Sequence, residues 1–369
     1  MINTTSRRKI EHLKLCAESP VEARQVSAGF EDVTLIHRAL PELNMDELDL
    51  SVDFLGKRIK APFLIASITG GHPDTIPVNA ALAAAAEELG VGIGVGSQRA
   101  AIDDPSQEDS FRVVRDEAPD AFVYGNVGAA QIRQYGVEGV EKLIEMIDAD
   151  ALAIHLNFLQ EAVQPEGDRD ATGCLDMITE ICSQIKTPPV IVKETGAGIS
   201  REDALLFQKA GVSAIDVGGA GGTSWAGVEV YRAKESRDSV SERLGELFWD
   251  FGIPTVASLI ESRVSLPPLI ATGGIRNGLD IAKSVALGAS AASAALPFVG
   301  PSLEGKESVV RVLSCMLEEF KAAMFLCGCG NIKDLHNSPP VVVTGWTREY
   351  LEQRGFNVKD LSLPGGNAL

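Results

Sequence analysis

Eight short apolar runs, each followed by a stretch with helical spacing, leave this chain few ways to fold. The runs are Pro62–Ser67, Val91–Gly96, Phe122–Gly125, Ala151–Asn157, Val190–Glu194, Ala214–Gly218, Leu269–Thr272 and Ser290–Ala294. Helical spacing follows over Pro77–Leu89, Gln107–Glu117, Glu138–Ile147, Cys174–Ile185, Arg201–Ala210, Thr255–Ser262, Gly278–Leu287 and Glu307–Cys327. Strands that alternate with helices pair in parallel, and eight of them close a (β/α)8 TIM barrel. A doubly wound open sheet is the runner-up, but it usually has fewer strands. Ahead of the barrel, residues 1–45 read as polar and helical. Leu48 to Ile59 alternates around Gly56 and reads as a hairpin closing the barrel floor. The chain divides into an α/β barrel over 61–330, an N-terminal helical and hairpin extension over 1–60, and a C-terminal extension over 331–369 that carries no motif.

Most strand ends carry polar or glycine-rich chemistry, and a parallel barrel gathers all of them on one rim. The run from Asp150 to Asp168 is the richest. Ala151, Ala153, His155 and Asn157 alternate with Leu152, Ile154 and Leu156, so one set faces the barrel interior and ends in an imidazole and an amide. Gln160, Glu161, Gln164, Glu166 and Asp168 follow at once. A core histidine beside a solvated acidic loop is the plainer reading; the company His155 keeps favours a site.

The later glycine turns, Gly218 to Thr223 and Ala271 to Gly278, with Ala294-Ala295 after the last strand, read as a phosphate cup. Glycine lets backbone N–H groups approach an anion, and helix N-termini add positive charge. Ser67, Thr69, Ser97, Asn126 and Lys193 could line a flat ring beside it. Lys193 on an inward strand end is costly to bury without an anionic partner, and the ring of a reduced flavin would supply one. Arg8, Lys9, His12 and Arg99 suit a second, substrate-borne phosphate, or else mark an exposed helix start. Glu161 beside Gln160 suggests magnesium bridging to phosphate oxygens. Glu229 is a further site carboxylate or a surface charge. Trp225, in a Gly-Thr-Ser loop, is an apolar lid near a developing carbocation, or a packed core ring.

The formal net charge of -18 excludes a nucleic-acid surface. Six cysteines include a Cys327-Gly328-Cys329 run that lacks zinc spacing, so buried thiols are the expectation. No signal peptide and no membrane span are read, which places the protein in the cytoplasm.

The motifs Arg8-Lys9-x-Glu11-His12, Thr69-Gly70-Gly71, Gly96-Ser97-Gln98-Arg99, Gly125-Asn126-Val127-Gly128, His155-x-Asn157-x-x-Gln160-Glu161 with Gln164-Pro165-Glu166-Gly167-Asp168, Val192-Lys193-Glu194, Gly218 to Trp225 and Thr272-Gly273-Gly274-Ile275-Arg276 resemble type 2 isopentenyl diphosphate isomerase. The likeness runs from Arg8 to about Leu326. Ile68 departs from it, standing where methionine is frequent. The resemblance implies FMN, magnesium and NADPH or another reductant. It also implies interconversion of isopentenyl and dimethylallyl diphosphate, with reduced flavin adding and removing the protons. It assigns FMN to Ala66, Ser67, Ile68, Thr69, Ser97, Asn126, Lys193, Thr223, Gly273, Gly274, Arg276, Ala294 and Ala295. Substrate falls to Arg8, Lys9, His12, Ser97, Arg99, Gln160, Trp225 and Glu229. His155, Asn157 and Gln160 take catalytic positions, Glu161 takes the metal, and a homo-oligomer (tetramer or octamer) is implied. The competing readings are an FMN-barrel oxidoreductase, such as a 2-hydroxy acid oxidase or nucleotide dehydrogenase, and a non-catalytic phosphate-binding scaffold.

Overall fold

The computed structural model describes residues 4–337 and 339–363; the outermost residues of the N- and C-terminal extensions lie outside that range. Eight parallel strands close a barrel. In chain order they are β1 (Phe63–Ile65), β2 (Gly92–Gly94), β3 (Val123–Gly128), β4 (Ala151–Leu156), β5 (Val190–Glu194), β6 (Ala214–Asp216), β7 (Leu269–Thr272) and β8 (Ala291–Ala294). β8 returns to β1 through Ala292↔Phe63, Ser293↔Leu64 and Ala294↔Ile65. All eight expected strands are present, most of them shorter than read. β6 stops at Asp216 because Gly218 turns to φ 45°.

Strand alternation sorts the core into two layers. Leu152, Ile154, Val190, Val192 and Ile215 point outward into the shell of helices. Leu64, Phe122, Tyr124, Ala151, Ala153, Ile191, Ala214, Ile270 and Ala291 fill the barrel. The small alanines make room for Tyr124, whose ring fills the space that a side chain at Gly94 would need. The hairpin of Val52–Phe54 and Lys57–Ile59 turns on Leu55 and Gly56, both at positive φ. It drives Phe54 and Ile59 into the same inner cluster, with Phe54 edge-on to Phe122 at 5.2 Å. Lys57 fastens it to the Asp150 carboxylate at 3.0 Å. The hairpin is therefore the floor plug of the barrel.

Three parts of the sequence reading change. Only Thr4–Glu18 of residues 1–45 is α-helical. Pro20, Gly29 and Pro41 interrupt the rest, and Val33–Leu35 is a strand that pairs antiparallel with Val341–Val343 in the C-terminal extension. The helix expected over Glu138–Ile147 is the second part of Ala129–Met146, bent where Gly136 adopts φ 60°. Helices Trp225–Ser236, Ser239–Leu247 and Leu296–Glu304 were not anticipated. Among the described residues no helix is long and apolar enough to cross a membrane.

Phe54 is fully buried at the plug. Phe54→Ala should leave a cavity and cost about 3–5 kcal/mol, read as a lower urea midpoint at unchanged slope. Undiminished stability would mean that the hairpin does not seal the floor.

Candidate active site

All the polar strand ends converge on one cavity of about 1520 Å³, counting its open mouth. β3, β4 and β5 deliver Asn126, His155 and Lys193 side by side, because their register pairs Gly128 with His155 and His155 with Lys193. The helix Thr4–Glu18 roofs the mouth. Arg8, Lys9, His12, Leu13 and Cys16 all line the cavity. Their spacing puts them on one helical face, so the sequence carried the signal for Leu13 and Cys16, which were missed.

The far wall is glycine-built. A side chain at Gly273 would meet the Gly219 carbonyl at 2.2 Å, and one at Gly274 would meet Ala28 at 2.6 Å; both residues have positive φ. Beside them lie Thr223, Arg276, Ala294 and Ala295. Arg276 is engaged by Glu22, its Nε donating at 3.0 Å. The hydroxyls of Ser67, Thr195, Thr272 and Ser293 also line the cavity; that of Thr195 is buried without a partner among the described residues, those of Ser67 and Ser293 lie beside the Tyr124 hydroxyl, and that of Thr272 lies beside the Asp216 carboxylate. Buried hydroxyls are normally satisfied. A polar ring system above them and an anion on the glycine turns would use this set, so the residues fit a flavin mononucleotide.

The opposite wall is cationic. Arg8, Lys9 and Arg99 lie there, and among the described lining residues Glu161 is the one carboxylate. Burial first, then Arg8 and Arg99, pulls the Lys9 amine down to about 7. Burial, then the Lys193 and Lys9 ammoniums, pushes the His155 imidazole down to about 3. His155 is therefore neutral. Its Nδ1–H donates to Asn126 Oδ1 at 2.8 Å, which leaves Nε2 as the lone-pair nitrogen. Glu161 accepts from Asn157 Nδ2 at 2.9 Å, Gln164 Nε2 at 2.8 Å and the Asp168 amide at 2.7 Å. That network explains the QPEGD run: it wraps the loop around a single carboxylate. No group of three or more metal-type side chains exists among the described residues. One carboxylate fits a magnesium ion that draws its other ligands from water and a diphosphate.

Glu229 and Thr69 do not line the cavity. Glu229 is fully buried behind Gln160, which donates to it at 2.8 Å. Burial opposes its charge, but His12, Arg232 and Gln160 outweigh that and hold its carboxyl down to about 2. Burial likewise pushes the His12 imidazole below its ordinary range. Neutral His12 donates to Glu229 at 3.2 Å and meets Trp225 edge-on at 5.2 Å. Glu229 is thus a support for Gln160 and His12 and has no contact with the cavity; a buried carboxylate must be paired, and these partners pair it. Trp225 is half-buried at the start of its helix, with its ring on the cavity side. Thr69 is buried next to the Gly96 turn, where its carbonyl accepts from Gly96 N. Ala66, Ile68, Ser97 and Gln160 line the cavity as well. Gln164, Thr195 and Thr272 lie in stretches read from the sequence but were given no role there, and Gln131 and Ser293 were not singled out, being common polar residues with no spacing of their own.

The profile of the FMN-dependent dehydrogenase family matches residues 3–110 and 130–341. The chain is therefore a flavin-dependent barrel protein of that family. An isopentenyl-diphosphate delta-isomerase of Methanosarcina mazei is 98% identical over 369 residues, covering all of both chains. One from Archaeoglobus fulgidus is 53% identical over 352 residues, covering 95% of this chain and all of that one. The chain belongs to the isopentenyl-diphosphate delta-isomerases, in their type 2, FMN-dependent form. Among solved structures, a lactate oxidase of Pediococcus acidilactici has a TM-score of 0.66 at 15% identity, covering 92% of this chain and 94% of that one. A mandelate oxidase variant scores 0.62 at 20% identity, covering 87% and 93%. At those identities the likeness is one of fold.

Lys9 gives a test by pH. An anion binds the ammonium form, so above about 7 the free protein must take up a proton to bind. One pH unit above that value, inorganic pyrophosphate should bind up to about tenfold less well than the always-charged Lys9→Arg would allow. Calorimetry in buffers of different ionisation heat should show proton uptake that Lys9→Arg lacks. Equal uptake in both proteins would mean that the Lys9 amine has its ordinary range.

Proposed function

We propose that this protein interconverts isopentenyl and dimethylallyl diphosphate, with reduced FMN against the glycine wall and the diphosphate on the cationic wall. The observation that carries this reading is the absence of a side-chain acid in a cavity with two anion-suited walls. Among the described lining residues, Glu161 is committed to three donors, His155 is neutral and the Lys9 ammonium gives up its proton only near 7. Protonating an unactivated alkene requires a strong or very well-placed acid, and none of the three is strong enough. Reduced FMN would supply a proton donor and acceptor and an electron-rich ring that favours a developing cation.

The chain's own residues then bind and orient. Arg8, Lys9 and Arg99 grip the diphosphate, and Glu161 would hold a magnesium ion, which would offset diphosphate charge. His155, fixed by Asn126, presents Nε2 as an acceptor. Gln160 and Asn157 set the position of the substrate, and Glu229 holds Gln160 rigid. Trp225, steadied by His12, turns an aromatic face toward positive charge, while Leu13, Leu296 and Val299 line the cavity with apolar surface that excludes water. NADPH or another two-electron donor would be needed to reduce the flavin, and the isomerisation itself has no net redox change.

Two experiments test this. Apoprotein loaded with FMN or with 5-deazaFMN, reduced under anaerobic conditions, is given isopentenyl diphosphate labelled for NMR. Turnover with FMN at constant reductant, and none with the deaza analogue, is expected. Full turnover with the analogue would move the proton transfer from the flavin N5 position to a side chain. Separately, Glu161→Gln should retain FMN but lose on the order of a hundredfold or more in turnover, about 3 kcal/mol of transition-state stabilisation, together with its response to magnesium. An unchanged magnesium titration would put the metal elsewhere.

A further inference from the structure

Lys193 is the buried cation at the heart of the barrel rim, 7% exposed. Its ammonium donates to a backbone carbonyl, that of Glu194, at 2.7 Å. The Glu194 side chain comes from the outward-facing set of β5; its carboxylate accepts from the Ala197 and Gly198 amides of the following loop and feels the Lys193 charge less than it feels its own burial. On one flank the register partner of Lys193 is His155, and that ring is neutral. On the other flank it is Asp216 of β6. Among the described residues that the eight strands aim inward, Asp216 is the one carboxylate.

Asp216 is 2% exposed and does not line the cavity, whereas Lys193 does. One of its oxygens accepts from the Gly218 amide at 3.2 Å, which anchors the carboxylate to the turn that opens the glycine wall. Burial pushes its carboxyl above the usual range, and the Lys193 ammonium, the Thr272 hydroxyl and the Gly218 amide oppose that. No ion pair within 4 Å joins it to Lys193 among the described residues. The ammonium is compensated through space and remains free to turn toward the cavity.

We propose that Asp216 is the resident counter-ion of Lys193: a positioning residue that balances the buried ammonium and sets how strongly the site favours reduced over oxidised flavin. This rests on the flavin placement proposed above. Reduction adds two electrons and one proton to FMN, so the ring gains one negative charge. Lys193 favours that charge and Asp216 disfavours it, and the pair together leaves the site near neutral. An electron-rich ring is then neither over-stabilised nor expelled.

The test is the reduction potential of bound FMN, titrated with dithionite at neutral pH. Comparison with free FMN gives the ratio of affinities for reduced and oxidised cofactor. Asp216→Asn should raise that ratio tenfold or more, a shift of about 30 mV per tenfold for a two-electron couple. Asp216→Glu, which keeps the charge, should stay near the parent value. Lys193→Met should lower the ratio. Should the lone Asn variant fail to fold around an uncompensated ammonium, the doubly neutral Lys193→Met/Asp216→Asn against Lys193→Met reads the same step without a buried cation. A ratio unmoved by Asp216→Asn in either background, while Lys193→Met moves it, would overturn the role of Asp216. A ratio unmoved by all the variants would overturn the flavin placement and this proposal with it.

Discussion

Closure of the barrel is the constraint on which everything else depends. With β8 paired back to β1, the ring has no free edge, and each strand must end on the same rim. The side chains after each strand are then brought together by register alone. Asn126, His155, Lys193 and Asp216 lie in neighbouring register around one arc of that rim, although they come from four different strands. Burying them is tolerable because each has a partner held by the same ring. Below them the barrel is filled by Tyr124 and by small and aliphatic side chains, and sealed by Phe54 and Ile59.

The cavity separates its charge by origin. One group of cavity cations comes from the roof helix and from Arg99 after β2, whereas the glycine-built part is backbone and hydroxyls with Arg276, which Glu22 engages. The roof is not freely hung. Arg232 joins Glu229 to Glu166 at 2.7 Å, and Arg8 meets the same Glu166 at 3.5 Å, so the roof helix, the loop after β4 and the helix after β6 share one chain of charges. A protein with a strong acidic excess thus keeps a local positive zone by confining most of its carboxylates to the outside or to pairs.

The sequence made the barrel legible because period-two apolar runs and intervening glycine turns are local signals. His155 and Lys193 were legible because polar residues at the ends of apolar strands are costly unless used. Pairing across long separations was not legible. Nothing near Val33 indicates that Val343 is its partner, and nothing near Glu229 indicates that it stands behind Gln160, one layer away from the cavity. Helix Leu296–Glu304 was hidden because it contains Pro301 and Gly300 and lacks a polar stripe. Gln131 and Ser293 became visible as cavity residues only once the strands had a register.

The clasp between Val33–Leu35 and Val341–Val343 closes the longest loop in the fold described above. Thr344 donates to the Asp32 carbonyl across 312 positions of sequence, so the strand that follows the roof helix waits for a partner translated long after it. Such distant contacts form late, after the local strand–helix units have closed. All eight barrel strands lie between the two halves of the clasp. The pairing therefore ties off a loop that holds the entire barrel, and what steadies the chain between roof and barrel is a strand from the far side of that loop.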